Sequence, residues 1–231
     1  VMKKFNLKRK LLALGTSTLI LGGALAGCVS GGNAANNTAT ESGEKEITVA
    51  IYRDGEMDLL DAASYKGPHV IYKMLYEGFT EDGGKDGITP LLATSWDVSE
   101  DQKTYTFHLR KGVKFTDGTD FNAQAVEFNL KRWVNNDRHS SLTSYKVDDI
   151  KVVDDYTIQV TFNSDAYPIL TEMSYPRPVR FLSPDSIKNN GEVMGEFSSP
   201  VGTGQWILES YTKDEEFVLK ANPDYWGEKP K

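Results

Sequence analysis

The sequence predicts an α+β fold with mixed sheets rather than a regular βαβ array. Three observations carry the prediction. Short runs alternate apolar and polar residues, as in Tyr105, Phe107 and Leu109 or Ile158, Val160 and Phe162, which is the period of a strand with one buried face. Val126, Leu130, Trp133 and Val134 recur at helical spacing. Turn-forming residues, not helices, join most of the strand-like runs, which favours hairpins with isolated helices between them.

Taken in order, Ile47, Val49 and Ile51 alternate and predict an opening strand, and the following DGEMDLLDAASYKG reads as loop. A helix is predicted from Pro68, whose missing N–H is harmless in a first turn, with Val70, Ile71, Met74 and Leu75 on its buried face. Trp96 to Val98 and Tyr105 to Leu109 form a strand pair across SEDQK, which places His108 on a solvated sheet face. Asp117-Gly118 supplies a turn, Asn122 a helix cap, and the Trp133 helix ends before Asn135-Asn136. A second strand pair, Ile150 to Val153 and Ile158 to Phe162, turns at Asp154-Asp155. A short helix runs from about Ala166 to Met173. After VRFL and the Gly-rich turn PVGTGQW come strands around Trp206 to Tyr211 and Phe217 to Ala221. The closing NPDYWGEKPK is turn-like, with no helix or strand after it, and reads as a truncated end.

The 231 residues are 39% hydrophobic and 26% charged, an ordinary globular balance. Charge is uneven. Residues 1–27 hold Lys3, Lys4, Lys8, Arg9 and Lys10 with no acid, and the remainder carries 21 bases against 33 acids, a net of −12. A body that acidic repels phosphate backbones, so nucleic-acid binding is not expected. The basic start, the apolar stretch Leu11 to Ile20 and the small residues before Leu25-Ala26-Gly27-Cys28 have the order of an export signal, too short and too polar for a bilayer span. The single cysteine excludes an intramolecular disulfide and a multi-thiolate zinc site. Residues 28–46, rich in Gly, Asn, Ala, Ser and Thr, cannot bury a core and are expected to form a flexible tether, leaving 47–231 as the folded part.

Chemistry is sparse along the folded part. No Gly-x-Ser-x-Gly elbow is present, and Gly202-Thr203-Gly204 lacks the Gly-Lys-Ser/Thr of a phosphate loop and reads as a tight turn. The adjacent acids Asp148-Asp149 and Asp154-Asp155 read as solvated turn charge rather than as an acid/base dyad. His69, His108 and His139 have no ligand spacing that would close a metal shell within the chain. Two polar segments bounded by aromatics and prolines remain, NNDRH at 135–139 and YPRPVR at 175–180. Arg177 lies between two prolines that restrict its backbone, which suits a guanidinium aimed at a carboxylate, although spacing alone equally allows a surface salt bridge. Arg138 follows a helix end, where a cation also complements the helix dipole.

These features together resemble a known family. The Leu-Ala-Gly-Cys tetrad is similar to the bacterial lipobox, in which the cysteine is lipidated and becomes the new N-terminus. LATSWDVSEDQKTYTFHLRKGVKFTDGTDFNAQAVEFNLKR, PVGTGQWIL and NPDYWGEKP resemble the extracytoplasmic solute-binding proteins of family 5, which serve peptide and nickel ABC importers. The resemblance implies a type II periplasmic-binding-protein fold of two lobes that close on ligand, of which this chain holds mainly the N-terminal part of lobe one. It implies a monomeric, non-enzymatic receptor, lipid-anchored through Cys28 on the extracytoplasmic face of the membrane and partnered by an ABC permease. NNDRH followed by YPRPVRFLSP is closer to the nickel-binding branch than to the di- and oligopeptide-binding one. The implied ligand is Ni(II) complexed with a small organic chelator, with no permanently bound cofactor. In that branch Arg177 and Arg138 match the arginines that hold chelator carboxylates. His139 and Tyr65 match cleft positions, and His69 matches a residue near the metal, against the reading that it merely caps a helix start. Where nickel-binding members carry a Trp two residues after the helix-end His, this chain has Ser141.

Overall fold

The computed structural model describes residues 48, 60–64, 67–135, 146–176, 179–189, 193–213 and 215–230. All described elements belong to one compact unit, Val49–Lys231. The whole of 1–46 and the residues that carry the predicted opening strand, Ile47, Val49 and Ile51, lie outside the described residues.

The central sheet is built by the alternation that announced it. Strands β3 (Ala93–Val98), β4 (Thr104–Leu109), β5 (Val147–Asp154) and β6 (Thr157–Phe162) are ordered β3-β4-β6-β5. Tyr105, Phe107 and Leu109 of β4 and Ile158, Val160 and Phe162 of β6 fall on one face and are buried. The other face carries threonines and glutamine in cross-strand pairs, such as Thr104 with Thr161 and Gln159 with Thr106. His108 lies on this solvated face as predicted, its Nε2 2.8 Å from Asp97 on β3. Two further hairpins flank the sheet, β1 (Thr80–Asp82) with β2 (Ile88–Pro90) and β7 (Trp206–Thr212) with β8 (Glu216–Ala221). Where sequence predicts mixed sheets, every strand pair among the described residues is antiparallel. The physical reason is the connections. Most neighbouring strands are joined by turns that can only reverse the chain, and β4 reaches β6 across α2 and β5 with its direction reversed.

Helix α2 (Ala123–Val134) starts where Asn122 Oδ1 accepts the Ala125 N–H at 2.9 Å and ends at the predicted residue. Its apolar face packs over β5 and β6, burying Val126, Leu130 and Trp133. Each such large side chain contributes about 1.5–3 kcal/mol by leaving water. Phe79 stacks on Phe107 with ring centroids 4.0 Å apart, and Phe181 closes edge-on against Phe79. Helix α3 (Ile169–Ser174) is shorter than predicted and caps the same core with Ile169 and Met173.

Helix α1 (His69–Leu75) belongs to a second apolar cluster with Leu60, Leu182 and Ile187. Pro68 is its N-cap rather than its first residue. Its buried face is Ile71, Tyr72 and Leu75, while Val70 is 43% exposed, contrary to expectation. The rotation is set by tyrosines. Tyr72 Oη donates to the Asp61 carbonyl at 2.9 Å, and Tyr76, just past the helix, donates to the Leu60 carbonyl at 2.7 Å. The Gly202-Thr203-Gly204 bend docks against the end of α1, Gly204 N–H donating to the Leu75 carbonyl at 3.1 Å. Neither glycine has a positive φ. They are needed for close approach instead: a Cβ at Gly202 would overlap the Leu75 carbonyl oxygen, and one at Gly204 the Met74 carbonyl oxygen.

Candidate ligand-binding site

Of the residues singled out from sequence, Cys28, Tyr65, Arg138, His139 and Arg177 lie outside the described residues. His69 is described, as the first residue of α1, with its side chain exposed. Among the described residues no three His, Cys, Asp or Glu side chains converge into a group able to hold a metal. His69 is therefore not part of a closed metal shell built from described residues.

The residues flanking the predicted segments do converge. A cavity of about 10 Å³ is lined by Ala62 and Ala63, by Asn129, Arg132 and Trp133 of α2, and by Val179 and Arg180. Ala63 precedes Tyr65 by two positions, Trp133 precedes Arg138 by five, and Val179 follows Arg177 by two. Three chain segments far apart in sequence thus share one buried root.

Long polar side chains hold that root together. Arg132, 3% exposed, donates through Nη2 to Asp61 Oδ2 and through Nη1 to the Val193 carbonyl, both at 2.6 Å. Asp61 Oδ1 also accepts the Ala63 N–H at 2.9 Å, so one carboxylate fixes both the helix and the turn at 61–64. Asn129 bridges to Leu182, its Nδ2 donating to the Leu182 carbonyl at 2.8 Å and its Oδ1 accepting the Leu182 N–H at 3.1 Å. Arg180, 5% exposed, donates through Nη2 to the Ser174 carbonyl at 3.0 Å, tying the two ends of the 174–180 connection across the prolines. Burial lowers the Arg180 guanidinium to about 10, with Glu77 and Glu81 opposing the shift, so it remains cationic at neutral pH. Gly78 makes room for it, since a Cβ there would overlap Arg180 Nη1.

Behind this root, Glu77 collects three hydrogen bonds from distant segments: Thr203 Oγ1 at 2.7 Å, Tyr225 Oη at 2.6 Å and Trp226 Nε1 at 2.8 Å. The turn-like NPDYWGEKP segment is thereby locked against the end of α1, and Arg110 stacks over the Trp226 ring at 4.5 Å. Burial holds the Glu77 carboxyl above its usual range, against the lowering effect of its three donors.

Arg132, Asp61 and Glu77 were not singled out from sequence, and Arg180 was named only as the end of the YPRPVR segment, with no role of its own. The available signal was a charge inside an apolar run: Arg180 interrupts VRFL, and Arg132 adjoins the Leu130 and Trp133 positions of an amphipathic helix. Either charge reads equally well as exposed until the partner element is known.

Comparison with known proteins gives this arrangement a family. The model of the bacterial extracellular solute-binding proteins, family 5, matches residues 87–231. A nickel-binding periplasmic protein of Escherichia coli (strain K12) is 40% identical over 159 residues, covering 68% of this chain and 30% of that protein. A dipeptide-binding protein of the same strain is 36% identical over 168 residues, covering 64% and 31%. The crystal structure of NikA from Brucella suis in complex with Fe(III)-EDTA superposes with a TM-score of 0.69 at 35% identity, over 75% of this chain and 35% of that one. The chain therefore spans about a third of the length of these relatives. Its α+β architecture is part of the type II periplasmic-binding-protein fold. With a family model matching well over half of its residues, the chain belongs to the bacterial extracellular solute-binding proteins of family 5.

Proposed function

We propose that this chain is part of the capture component of an ABC importer, binding Ni(II) or a related transition-metal ion as a complex with a small organic chelator. It enzymatically alters nothing. It holds the cargo on the extracytoplasmic side of the membrane, tethered through a lipidated Cys28 as a monomer, and hands it to the permease. The similarity to the nickel-binding relative, 40% identity over 159 residues, carries this reading. The shared root of the chain segments that lead to Tyr65, Arg138 and Arg177 supports it, because a ligand needs groups that arrive from different parts of the chain at one place.

In this reading Arg177 is the main carboxylate anchor and Arg138 the second, with Tyr65 and His139 lining the cleft and His69 offering an imidazole to the metal. The dipeptide-binding relative, 36% identical over 168 residues, supports a second reading in which the cargo is a peptide. The two differ in what stabilises the protein. Binding to the native state raises the unfolding midpoint by mass action. Thermal unfolding of the whole protein with Ni(II) alone, with Ni(II) plus free histidine, and with a mixed dipeptide pool separates them. A shift that requires metal and chelator together supports the chelate reading, and a shift with peptides alone replaces it. Arg177→Ala is expected to weaken chelate binding by about 1.5–3 kcal/mol, the loss of a charged hydrogen bond. Unchanged affinity in a folded variant removes Arg177 from the site.

A further inference from the structure

The connection that carries the proposed anchor Arg177 leaves helix α3 one hydrogen-bond donor short. The helix runs out at Ser174, whose carbonyl would take the N–H four positions further on. That position is Pro178, which has none. The Glu172 carbonyl faces Pro176 in the same way and is served instead by the Tyr175 N–H at 3.3 Å. Ser174 is 5% exposed, so water is a poor substitute there, and its carbonyl receives Arg180 Nη2 at 3.0 Å.

The Arg180 end is itself set in the core. Val179 and Phe181 on either side are 2% and 0% exposed, and the Phe181 N–H donates to the Glu77 carbonyl at 3.0 Å. The negative charges of Glu77 and Glu81 favour the cationic form of the guanidinium. Yet Arg180 Nε and Nη1 are buried without a hydrogen-bond partner. An apolar side chain of similar length would fill the space and leave no N–H unmatched, so stability alone gives little reason for an arginine here. The bond to Ser174 gives one. It fixes the separation of residues 174 and 180, between which two prolines narrow φ and keep the residue before each out of the helical region, as Tyr175 shows with φ −67° and ψ 157°.

We propose that Arg180 is a positioning residue for cargo binding, clamping the two ends of the 174–180 connection and so aiming Arg177. A connection held in this way has less freedom to lose when a ligand is gripped. The aim at cargo rests on the reading of Arg177 as the carboxylate anchor, whereas the clamp does not.

Hydrogen exchange of the whole protein reads the clamp without any ligand. Arg180→Met keeps the length of the side chain and removes its donors. Peptides covering 174–180 are expected to exchange about tenfold faster or more, the loss of one charged hydrogen bond, while β4 and β6 keep wild-type rates. Arg180→Lys, which retains a charged donor, is expected to recover part of the protection. Unchanged exchange at 174–180, or equal acceleration in the central sheet, overturns the proposal. If Arg180→Met does not fold, Gly78→Ala displaces the guanidinium without removing it, and the same peptides decide.

Affinity supplies the second readout, with Ni(II) plus free histidine and a mixed dipeptide pool as probes. Arg180→Met is expected to weaken binding about tenfold when Arg177 is present and to add nothing in the Arg177→Ala background. An equal loss in both backgrounds marks general damage and overturns the aim at Arg177. If Arg177→Ala by itself binds as wild type does, the anchor reading fails, and the exchange rates still decide the clamp.

Discussion

Replacing Glu77 separates hydrogen bonding from charge at the point where α1, the Gly202-Thr203-Gly204 bend and the NPDYWGEKP segment meet. Glu77 is 7% exposed, and its carboxyl accepts hydrogen bonds from Thr203, Tyr225 and Trp226. Glu77→Ala strands these donors. Thr203 is fully buried, Trp226 Nε1 has no hydroxyl rotor with which to find another acceptor, and each orphaned donor costs about 1–3 kcal/mol. Discounting the partly exposed Tyr225, which water can reach, the loss is expected to be about 4 kcal/mol. Glu77→Gln is different. Its Oε1 takes the Thr203 and Trp226 bonds, and its Nε2 donates to Tyr225 Oη, so it is expected to lie within about 1 kcal/mol of wild type. The pH dependence has a definite sign. The folded carboxyl titrates above its ordinary 4.5, so the native state binds the proton more readily than the unfolded chain. Stability from this group is full below 4.5 and is lost as pH rises through the raised folded value. Urea unfolding of wild type and Glu77→Gln at a series of pH values reads the difference directly. The wild type should lose ground to the glutamine variant as pH rises through that window. A difference that stays flat with pH, or a Gln variant as damaged as Ala, refutes the reasoning.

The other expectations concern the same junctions. Gly202→Ala pushes a methyl into the Leu75 carbonyl, a backbone atom that cannot swing aside, and should cost about 1–3 kcal/mol in chemical denaturation. Gly118→Ala, where nothing lies within 4 Å but φ is +89°, isolates the conformational cost and should come to about 1–2 kcal/mol. Asp61→Ala removes the carboxylate from an arginine that is 3% exposed and should cost about 3–5 kcal/mol. Arg132→Met in the Asp61→Ala background should recover part of that loss, and strict additivity of the two changes would show that the pair is not coupled.

The parts of the fold legible in the sequence were those where a single local rule decides. Alternation placed β4 and β6 with their buried faces, strand-like runs located β3, β5, β7 and β8, and helical spacing with the Asn122 cap placed both ends of α2. The β1–β2 hairpin was missed because three-residue strands such as TED and ITP carry no period. The face of α1 was misread because Val70 is the more apolar residue, whereas Tyr72 is buried for its hydroxyl as much as for its ring. Gly202 and Gly204 looked like turn residues, yet what excludes a side chain is the carbonyl row at the end of α1, more than 120 positions away. The candidate site divided in the same way. Polar segments between aromatics and prolines stood out, while Arg132 did not, and Arg180, inside one of those segments, was given no role of its own. Their burial depends on which element packs against them.

That division has a physical cause. Where a connection leaves a helix or strand, its backbone carbonyls lose their ladder partners, and a buried carbonyl without a donor is costly. Here long side chains reach across to supply the donors: Tyr76 to Leu60, Arg132 to Val193 and Arg180 to Ser174. Each of these bonds sits at the foot of a connection rather than at its tip. A loop so fastened begins from a fixed position and direction, and less of its freedom remains to be lost when a ligand is gripped. Apolar packing alone would bury the same area without satisfying those carbonyls. The fold therefore requires arginine and tyrosine in otherwise apolar runs at just the places from which the segments proposed to bind depart.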